Sequence, residues 1–468
     1  MTHSKTSADQ EQPRWLPQRV WRSVVRGPLF PQERRGRLRL VMDNLILHIH
    51  PSQVSARSLK FTYTWGLGGL SALLMMILGI TGVMLMFVYT PTPETAYNDV
   101  VAIGADVWFG ALVRSLHHWT GNAMVLVVFM HMLRVFFTGA FRPPREFNWL
   151  LGMALLLLTV AANFTGYLLP WDQLAYWAVT VATSLMSYVP LVGDWLGNLL
   201  LGGPEVGAAT LRNFYGLHIA VIPGAMMGIM AYHFWRVRKD GGLTVPRGVD
   251  EPPIKKAERV TTVPHLVQPE LVFALVAIAG LLLWAMWVPA PLEELADPDH
   301  APNPAKAAWY LLGLQELLLH FHPLIAAVVI PALALGTLAL LPYLDADMDS
   351  VGIWFRSRRG RHLALVSVIV GVILTPALVL LDEYVLNLPA LLPSLPTLVS
   401  NGVVPLAASL LGLIAYYELL RRMSGATDCE TKQALFSLML TGFIMLTIVG
   451  IFFRGKGMAL VWPWGGGS

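Results

Sequence analysis

The sequence predicts an all-α integral membrane protein with about nine transmembrane helices. Of its 468 residues, 55% are hydrophobic and only 13% are charged, whereas a soluble domain carries about 25% charged residues. A spanning helix needs roughly 20 mostly apolar residues, because bilayer hydrocarbon is about 30 Å thick. Nine apolar segments of about that length are found at residues 66–90, 111–138, 148–169, 214–236, 270–290, 322–343, 362–382, 402–420 and 434–453.

The basic residues predict the orientation of these segments. Lys and Arg favour cytoplasmic loops, and they cluster before the first segment and in the connections after the second, fourth and sixth. The connections after the first, third and fifth are acidic instead. We therefore expect a cytoplasmic N-terminus without a cleavable signal peptide, in a bacterial-type inner membrane. Arg454 and Lys456, after the last segment, fit this alternation less well.

A stretch rich in Pro, Gly and charge divides the chain into two helical units. We expect a cytoplasmic N-terminal segment with an interfacial helix at 1–60, a four-helix domain at 61–240 and a cytoplasmic linker at 241–268. A second helical unit would follow at 269–385, and two additional membrane helices at 386–464. The single cysteine, Cys429, excludes an intramolecular disulfide and an iron–sulfur cluster held by this chain alone.

Two of the predicted helices each carry two histidines inside the membrane. His117 and His131 are 14 residues apart in the second helix, and His218 and His233 are 15 apart in the fourth. These spacings leave both histidines of a helix on one face, about 21 Å apart along its axis. Both helices run from the outer to the inner side, so His117 is level with His218 and His131 is level with His233.

The depth-matched pairs predict two b-type haems, each held by one histidine from each helix. Neutral imidazole is a common axial ligand of haem iron, and ionisable residues inside a membrane usually mark function. The alternative is that the four histidines make separate hydrogen bonds between helices. That alternative gives no reason for the matched depths.

Glycines in the neighbouring helices favour the haem interpretation. Gly68 and Gly82 are 14 residues apart in the first helix, and Gly152 and Gly166 are 14 apart in the third. Because glycine has no side chain, it lets a flat porphyrin approach the backbone. Small residues also help membrane helices to pack, but the repeated interval favours a cofactor.

Two arginines lie close to the predicted ligands. Arg114 is three residues from His117, and Arg134 is three residues from His131. Guanidinium groups at these positions could pair with haem propionates. Arginines that simply extend to the membrane interface would look similar.

The sequence resembles the cytochrome b/b6 family of the bc-type quinol oxidoreductases over roughly residues 40 to 385. The first half is similar to the b6 branch, and the remainder to subunit IV of that branch fused onto it. The resemblance implies a dihaem domain at 61–240, with an outer haem on His117 and His218 and an inner haem on His131 and His233. The matching residues are Arg114-Ser-Leu-His117 with His131, Gly166-Tyr-Leu-Leu-Pro-Trp-Asp-Gln-Leu-Ala-Tyr-Trp177, and Phe214-Tyr-Gly-Leu-His218 with His233.

The resemblance also implies quinone sites at both faces of the membrane. A quinol would be oxidised at an outer site between the 166–177 motif and Trp309-Tyr310, and a quinone would be reduced near the inner haem. Arg238 and His50 are polar groups that we expect on that inner side. The implied partners are the quinone pool, a Rieske iron–sulfur protein, a c-type cytochrome and a second copy of the chain. The type of quinone is left open, and no nucleic acid is implied.

The outer site departs from the family pattern. The family normally carries Pro-Glu/Asp-Trp-Tyr there, whereas this chain has Ala307-Ala308-Trp309-Tyr310. Because quinol oxidation needs a proton acceptor, another group must replace the missing carboxylate. Glu316 could be this base, or it could be merely an interfacial carboxylate. The candidates are Glu316, Asp172, Tyr310, Glu293, Glu294 and water.

A second departure concerns the extra haem of the b6 branch. That haem is attached through a cysteine in the first helix, and the matching position here is Gly66. We therefore expect no covalently attached extra haem. The space near the inner haem could hold a quinone instead.

Three functions can be distinguished. The first is a cytochrome b subunit of a quinol oxidoreductase, which carries electrons between the two quinone sites through two haems. The second is a dihaem anchor that passes electrons between the quinone pool and a docked redox enzyme of another class, without bifurcation; Ala308 favours it and the 166–177 motif argues against it. The third is a transporter with histidine proton relays, for which internal repeats are typical and none is visible.

Overall fold

The computed structural model describes residues 16–24, 32–33, 53–252, 254, 257–345 and 347–463. Within this part of the chain, nine helices are long and apolar enough to span a membrane, and the predicted fold class is confirmed. Each coincides with one apolar segment of the sequence. The first to ninth spanning helices are Leu67–Met86, Gly110–Phe137, Glu146–Tyr167, Ala208–Lys239, Val267–Trp287, Leu324–Leu344, Arg358–Tyr384, Val399–Ser424 and Asp428–Phe452.

Shorter helices and one small sheet connect the spanning helices. The side that carries connections 168–207 and 288–323 is called the outer side, following the predicted orientation, and the opposite side the inner side. Three short helices lie in these two connections, at Gln173–Ser184, Gly193–Leu201 and Leu312–His320. The other short helices are Leu16–Val24, Phe61–Thr64, Ala96–Ala105, Thr262–His265 and Leu388–Leu391. Gln53–Ser55 pairs antiparallel with Arg259–Thr261, which joins the segment before the first spanning helix to the segment before the fifth.

The first four spanning helices form one bundle. The first packs against the second, the second against the third and the third against the fourth. The fifth lies against the second. The seventh and ninth share the most extensive helix contact, and the ninth also packs against the short helix Leu312–His320. The four predicted haem ligands therefore lie in the first bundle, whereas the ninth helix belongs to the second unit.

Three spanning helices contain a π-helical turn just before a proline. The turns are Leu217–Val221, Leu324–Val329 and Val399–Val403, and they precede Pro223, Pro331 and Pro405. Proline has no N–H to donate to the preceding turn, and its ring clashes with the backbone of that turn. A wider turn before the proline accommodates both effects. A π turn holds about one residue more than an α turn. The turn that contains His218 therefore absorbs one residue, and the 15-residue interval to His233 matches the 14-residue interval of the second helix.

A buried ion pair on the inner side ties the two units together. The Arg142 guanidinium, in the connection after the second spanning helix, donates to the Asp345 carboxylate at 2.5 Å. It also contacts the Cys429 sulfur at 3.1 Å, at the start of the ninth spanning helix. Both charged side chains are almost completely excluded from solvent. Removal of either partner would leave the other charge buried and uncompensated.

Candidate functional site

The outer pair of predicted ligands meets inside the first bundle. The imidazole rings of His117 and His218 lie with their centroids 6.1 Å apart. A bond between a metal and an imidazole nitrogen is about 2 Å long, so two rings on opposite sides of one metal ion have centroids about 6 Å apart. The spacing of these two rings therefore fits one ion held between them.

Hydrogen bonds fix the tautomer of both outer histidines. Nδ1 of His218 lies 2.9 Å from the carbonyl oxygen of Ala162, which can only accept, so Nδ1 carries the proton. The Thr81 hydroxyl donates to the Ile77 carbonyl and lies 2.8 Å from Nδ1 of His117; it therefore accepts from that nitrogen. In both rings the lone pair is thus on Nε2. This is the arrangement by which proteins orient histidines that bind metals.

The four predicted glycines each lie against one of the four histidines. A Cβ atom at Gly82 would be 3.3 Å from Cε1 of His117, and one at Gly166 would be 2.5 Å from Cε1 of His218. Heavy atoms cannot approach as closely as 2.5 Å without displacement, so Gly166 is required by the His218 ring. In this structure the glycines make room for imidazole rings, whereas the sequence interpretation had assigned that room to the porphyrin itself.

The inner pair also lies against two of the predicted glycines. A Cβ atom at Gly68 would be 3.4 Å from Cε1 of His131, and one at Gly152 would be 3.6 Å from Cε1 of His233. His131 and His233 are close enough to interact electrostatically. Each pair thus takes one glycine from the first spanning helix and one from the third. The outer pair therefore fits one cofactor held between two imidazoles, and the inner pair repeats its glycine contacts.

The two predicted propionate partners have different surroundings. Arg134 is buried, its Nε donates to the Tyr63 carbonyl at 3.0 Å, and its Nη2 has no hydrogen-bond partner among the described residues. Arg114 donates to the carbonyls of Ala290 and Pro291 at 2.9 and 2.5 Å. Arg134 therefore has a free donor for an anionic group beside His131, whereas Arg114 holds the segment that follows the fifth spanning helix.

The residues expected at the inner quinone site are only partly described. Arg238 lies in the last turn of the fourth spanning helix and is half-buried, and His50 lies outside the described residues. At Gly66, a Cβ atom would be 2.9 Å from the Phe273 ring. The position that matches the cysteine of the b6 branch is therefore packed against an aromatic side chain.

An apolar cavity lies on the outer side, at the place predicted for a quinol. It is lined mainly by apolar side chains and is partly open to solvent. One wall consists of Tyr167 and the face of helix Gln173–Ser184 that carries Trp177; the other consists of residues 305–308 and the face of the 311–318 segment. An apolar cleft with few polar groups is typical of a site for a small organic ligand.

Lys306 contributes the cationic group of this cavity, and sequence reasoning missed it. Its Nζ donates to the Ile451 carbonyl at 2.9 Å, and burial lowers its pKa. A basic residue just before Trp309, in an otherwise acidic connection, is the sequence signal that could have identified it. The Tyr310 hydroxyl, which was predicted, is buried and has no hydrogen-bond partner among the described residues.

Glu316 does not line the cavity, which argues against its predicted role as proton acceptor. Arg454 donates to both of its carboxylate oxygens, with N–O distances of 2.6–3.1 Å, and His320 lies 3.3 Å away. Burial alone would raise the pKa of Glu316, but the hydrogen bonds from His320 and Arg454 outweigh burial and lower it. A carboxylate held as an anion in this way is a weak base.

Asp172 is also engaged in local structure. Its carboxylate accepts from the Ala175 backbone N–H at 2.9 Å, as the N-cap of helix Gln173–Ser184, and it faces the Glu293 N–H at 3.4 Å. Burial raises its pKa, and the two backbone N–H groups oppose that shift. Asp172 is not among the residues that form the cavity wall. Glu293 and Glu294 are exposed.

Comparison with known proteins places the first bundle in a family. The sequence model described as "Cytochrome b/b6/petB" matches residues 53–241. Cytochrome b6 of Heliobacterium modesticaldum (strain ATCC 51547 / Ice1) is 44% identical over 192 residues, which are 41% of this chain and 88% of that protein. Cytochrome b6 of Prochlorococcus marinus (strain MIT 9515) is 43% identical over 175 residues, which are 37% of this chain and 80% of that protein.

A solved structure extends the likeness of the fold beyond the bundle. A chain of a "Hyperthermophilic respiratory Complex III" superposes with a TM-score of 0.61 and 22% identity, and the match covers 90% of this chain and 97% of that chain. At this identity the likeness concerns the fold alone. The sequence relatives carry the assignment: this chain belongs to the cytochrome b/b6 family, a membership that implies haem b as its cofactor.

Proposed function

We propose that this chain is the cytochrome b subunit of a bc-type quinol oxidoreductase, with an outer quinol site and an inner quinone site. The observation that carries the proposal is the facing pair His117 and His218, with its 6.1 Å centroid spacing and its Nε2 lone pairs left free by the Nδ1 hydrogen bonds. The apolar cavity on the outer side of the protein supports the placement of the quinol site there.

The four histidines would hold two b haems. His117 and His218 would ligate the outer one and His131 and His233 the inner one. When bound, the haems supply one-electron transfer between the two faces of the membrane. The protein residues orient the imidazoles, exclude water and, at Arg134, offer an unused N–H to an anionic group on the cofactor.

In the outer cavity, the residues of this chain would bind and orient a quinol head group. Lys306 is the polar group best placed to hydrogen-bond its hydroxyls, because it lines the cavity and the family carboxylate is replaced by Ala308; Tyr310 is not among the lining residues. Trp309 is held away from this role, since its indole N–H donates to the Asn122 side chain at 2.6 Å. Gln315 shapes the wall: its amide accepts from the Ala307 N–H and donates to the Ala305 carbonyl.

The proposed orientation places the N-terminus in the cytoplasm. Arg421 and Arg422 at the end of the eighth spanning helix then lie on the inner side, as the charge rule requires. Arg454, which fitted the rule poorly, would lie on the outer side. Its charge is compensated there by Glu316 and Glu383, at 2.6 and 3.0 Å. A buried and neutralised arginine does not act as a topology signal in the way a solvated loop arginine does.

Quinol-driven reduction of the haems tests the proposal. A short-chain quinol added to the purified complex should produce the absorption bands of reduced b haem, and Lys306→Met should slow that reduction. Exposed Lys456, on the same side, provides the matched control as Lys456→Met. A wild-type complex whose haems stay oxidised with quinol, but become reduced with dithionite, would contradict the proposal.

The subunits that co-purify separate this proposal from a dihaem anchor. The absence of a carboxylate before Trp309 is the observation that favours the anchor. A Rieske protein or a c-type cytochrome in the purified complex supports the bc-type assignment. A hydrogenase-like or formate-dehydrogenase-like subunit in its place would support the anchor.

A further inference from the structure

The end of the ninth spanning helix is fastened to the segment that forms one wall of the outer cavity. Arg454, two residues beyond that helix, donates three hydrogen bonds to the Glu316 carboxylate, and one to Glu383 at 3.0 Å. The guanidinium of Arg454 and the carboxylate of Glu316 are both almost fully buried. A planar guanidinium bound to both carboxylate oxygens fixes the direction of its partner as well as its distance.

Two further hydrogen bonds join the same two regions. The Lys306 ammonium donates to the Ile451 carbonyl in the last turn of the ninth helix, at 2.9 Å. The Gly457 N–H donates to the Asn303 side chain at 2.5 Å. The segment 303–316 is therefore held near its beginning and at its end by residues 451–457.

Close packing fills the space between these bonds. A Cβ atom at Gly313 would lie 2.7 Å from the Thr447 hydroxyl and 2.8 Å from the Phe443 ring. A Cβ atom at Gly450 would lie 3.3 Å from the Leu312 side chain. Each of these glycines lets the short helix Leu312–His320 approach the ninth helix, so the two move as one body.

Gln315 also couples the cavity wall to this body. Gln315, next to Glu316, holds the 305–307 backbone by two hydrogen bonds of 2.7 and 2.8 Å. Along the same helix, Leu311, Leu314, Gln315 and Leu318 line the cavity, at the spacing of one helical face. Glu316 points to the opposite side, toward Arg454. A rotation of the helix that broke the Arg454 bonds would therefore turn the lining residues away from the cavity.

We infer that the ninth spanning helix positions the quinol-binding wall, with Arg454 as the positioning residue that sets the rotation of helix Leu312–His320 through Glu316. This role rests on the proposed function of the cavity. It assigns a purpose to the last spanning helix, which lies outside the part of the chain that the family model matches. Arg454 itself touches neither the cavity nor the haem ligands.

The experiment compares Arg454→Met with Lys456→Met in the full purified complex. The first readout is amide hydrogen exchange, measured by mass spectrometry on peptides from 303–316 and from 173–184, the opposite wall. In Arg454→Met, exchange in 303–316 should rise at least about tenfold, the factor that corresponds to losing one charge-assisted hydrogen bond. Exchange in 173–184 should not change, and Lys456→Met should resemble the wild type in both regions.

The second readout is quinol kinetics. We expect Arg454→Met to raise the KM for a short-chain quinol by about tenfold, with an unchanged b-haem spectrum and a smaller change in kcat. Arg454→Lys, which keeps the charge but loses the planar fork, should give an intermediate KM. Equal exchange rates and equal KM values in Arg454→Met and Lys456→Met would overturn the inference.

The double variant Glu316→Met with Arg454→Met covers the case in which Arg454→Met does not assemble. Replacement of a buried ion pair by apolar residues of similar volume is often neutral for folding, yet it removes the directional bonds. It should therefore assemble and still show the faster exchange and higher KM; wild-type values for both would overturn the inference. If quinol could not reduce the haems of the wild-type complex, the proposed function would be contradicted. The hydrogen-exchange comparison would still test whether Arg454 positions the helix.

Discussion

The imidazole rings of His117 and His218, which come from two different spanning helices, lie with their centroids 6.1 Å apart and their planes at 74° to each other. Nδ1 of His117 donates a hydrogen bond to the Thr81 hydroxyl, and Nδ1 of His218 donates one to the Ala162 carbonyl. The two rings therefore present Nε2 lone pairs while their orientation is fixed from behind. This arrangement is the basis of the haem assignment, and it makes the glycines around the rings the first test.

Gly166→Ala should disrupt the outer haem site. The new Cβ would lie 2.5 Å from Cε1 of His218, so the ring would have to leave its position. We expect the variant to lose the outer haem while it retains the inner one, measured as the haem-to-protein ratio and as the loss of one component in a redox titration.

Gly152→Ala is the matched change at the inner site. Its Cβ would lie 3.6 Å from Cε1 of His233, which is an ordinary van der Waals contact. We expect this variant to keep both haems, with at most a shift in potential. Equal haem loss in the two alanine variants would show that the close approach of residue 166 to the His218 ring does not determine haem binding at the outer site.

Arg142→Met should destabilise the protein strongly. It leaves Asp345 buried without its counter-charge, and loss of one partner of a buried pair costs about 3–5 kcal/mol. The check is a lower midpoint of thermal unfolding in detergent. Arg57→Met removes an exposed pair with Glu251, in which nearly half of each side chain is accessible, and such pairs contribute about 0–1 kcal/mol. A similar loss in both variants would contradict the account of the buried pair.

The contact between helix Leu312–His320 and the seventh spanning helix should depend on pH. Burial alone would lower the pKa of His320, but hydrogen bonds to Glu316 and Asp382 outweigh it and raise the pKa above 6.5. A raised pKa means that the stabilisation is complete below pH 6.5 and is lost as the pH rises through the folded-state pKa. For Glu316, with a pKa below 4.5, stabilisation is present above pH 4.5 and is lost as the pH falls through the lowered value.

Hydrogen exchange of 312–320 between pH 5 and pH 9, corrected for the intrinsic rate, measures this effect. Protection should be highest between about pH 4.5 and 6.5 and should fall on the alkaline side. His320→Gln should remove the alkaline loss. The control is His300→Gln, because His300 is exposed and pairs with Asp297; if it flattened the profile as well, His320 would not be the titrating group.

The fold was predictable from the sequence because its main determinant is local. Hydropathy located every spanning helix in the described part of the chain, since the length of an apolar run is set by the bilayer. The π turn at Leu217–Val221 was not predicted, although Pro223 is its visible cause. That turn explains why an interval of 15 residues in one helix matches 14 in the other.

The candidate site was predictable only where spacing along one helix determines the geometry. Each predicted glycine lies against a predicted histidine, because a 14-residue interval repeats on one helical face. Glu316 was selected for its closeness in sequence to Trp309, but neighbouring helical positions differ by about 100°, and it faces away from the cavity. Its partner Arg454 is 138 residues away, and no local pattern indicates such a contact.

Visible absorption difference spectra of single histidine variants test the central claim most directly. The reduced-minus-oxidised spectrum of the wild type should show two b-type haems. His117→Ala should lose the outer one, His131→Ala the inner one and the double variant both, while His118→Ala, at the neighbouring position, should keep both. Absence of b-haem bands in the wild type, or their persistence in the double variant, would contradict the account.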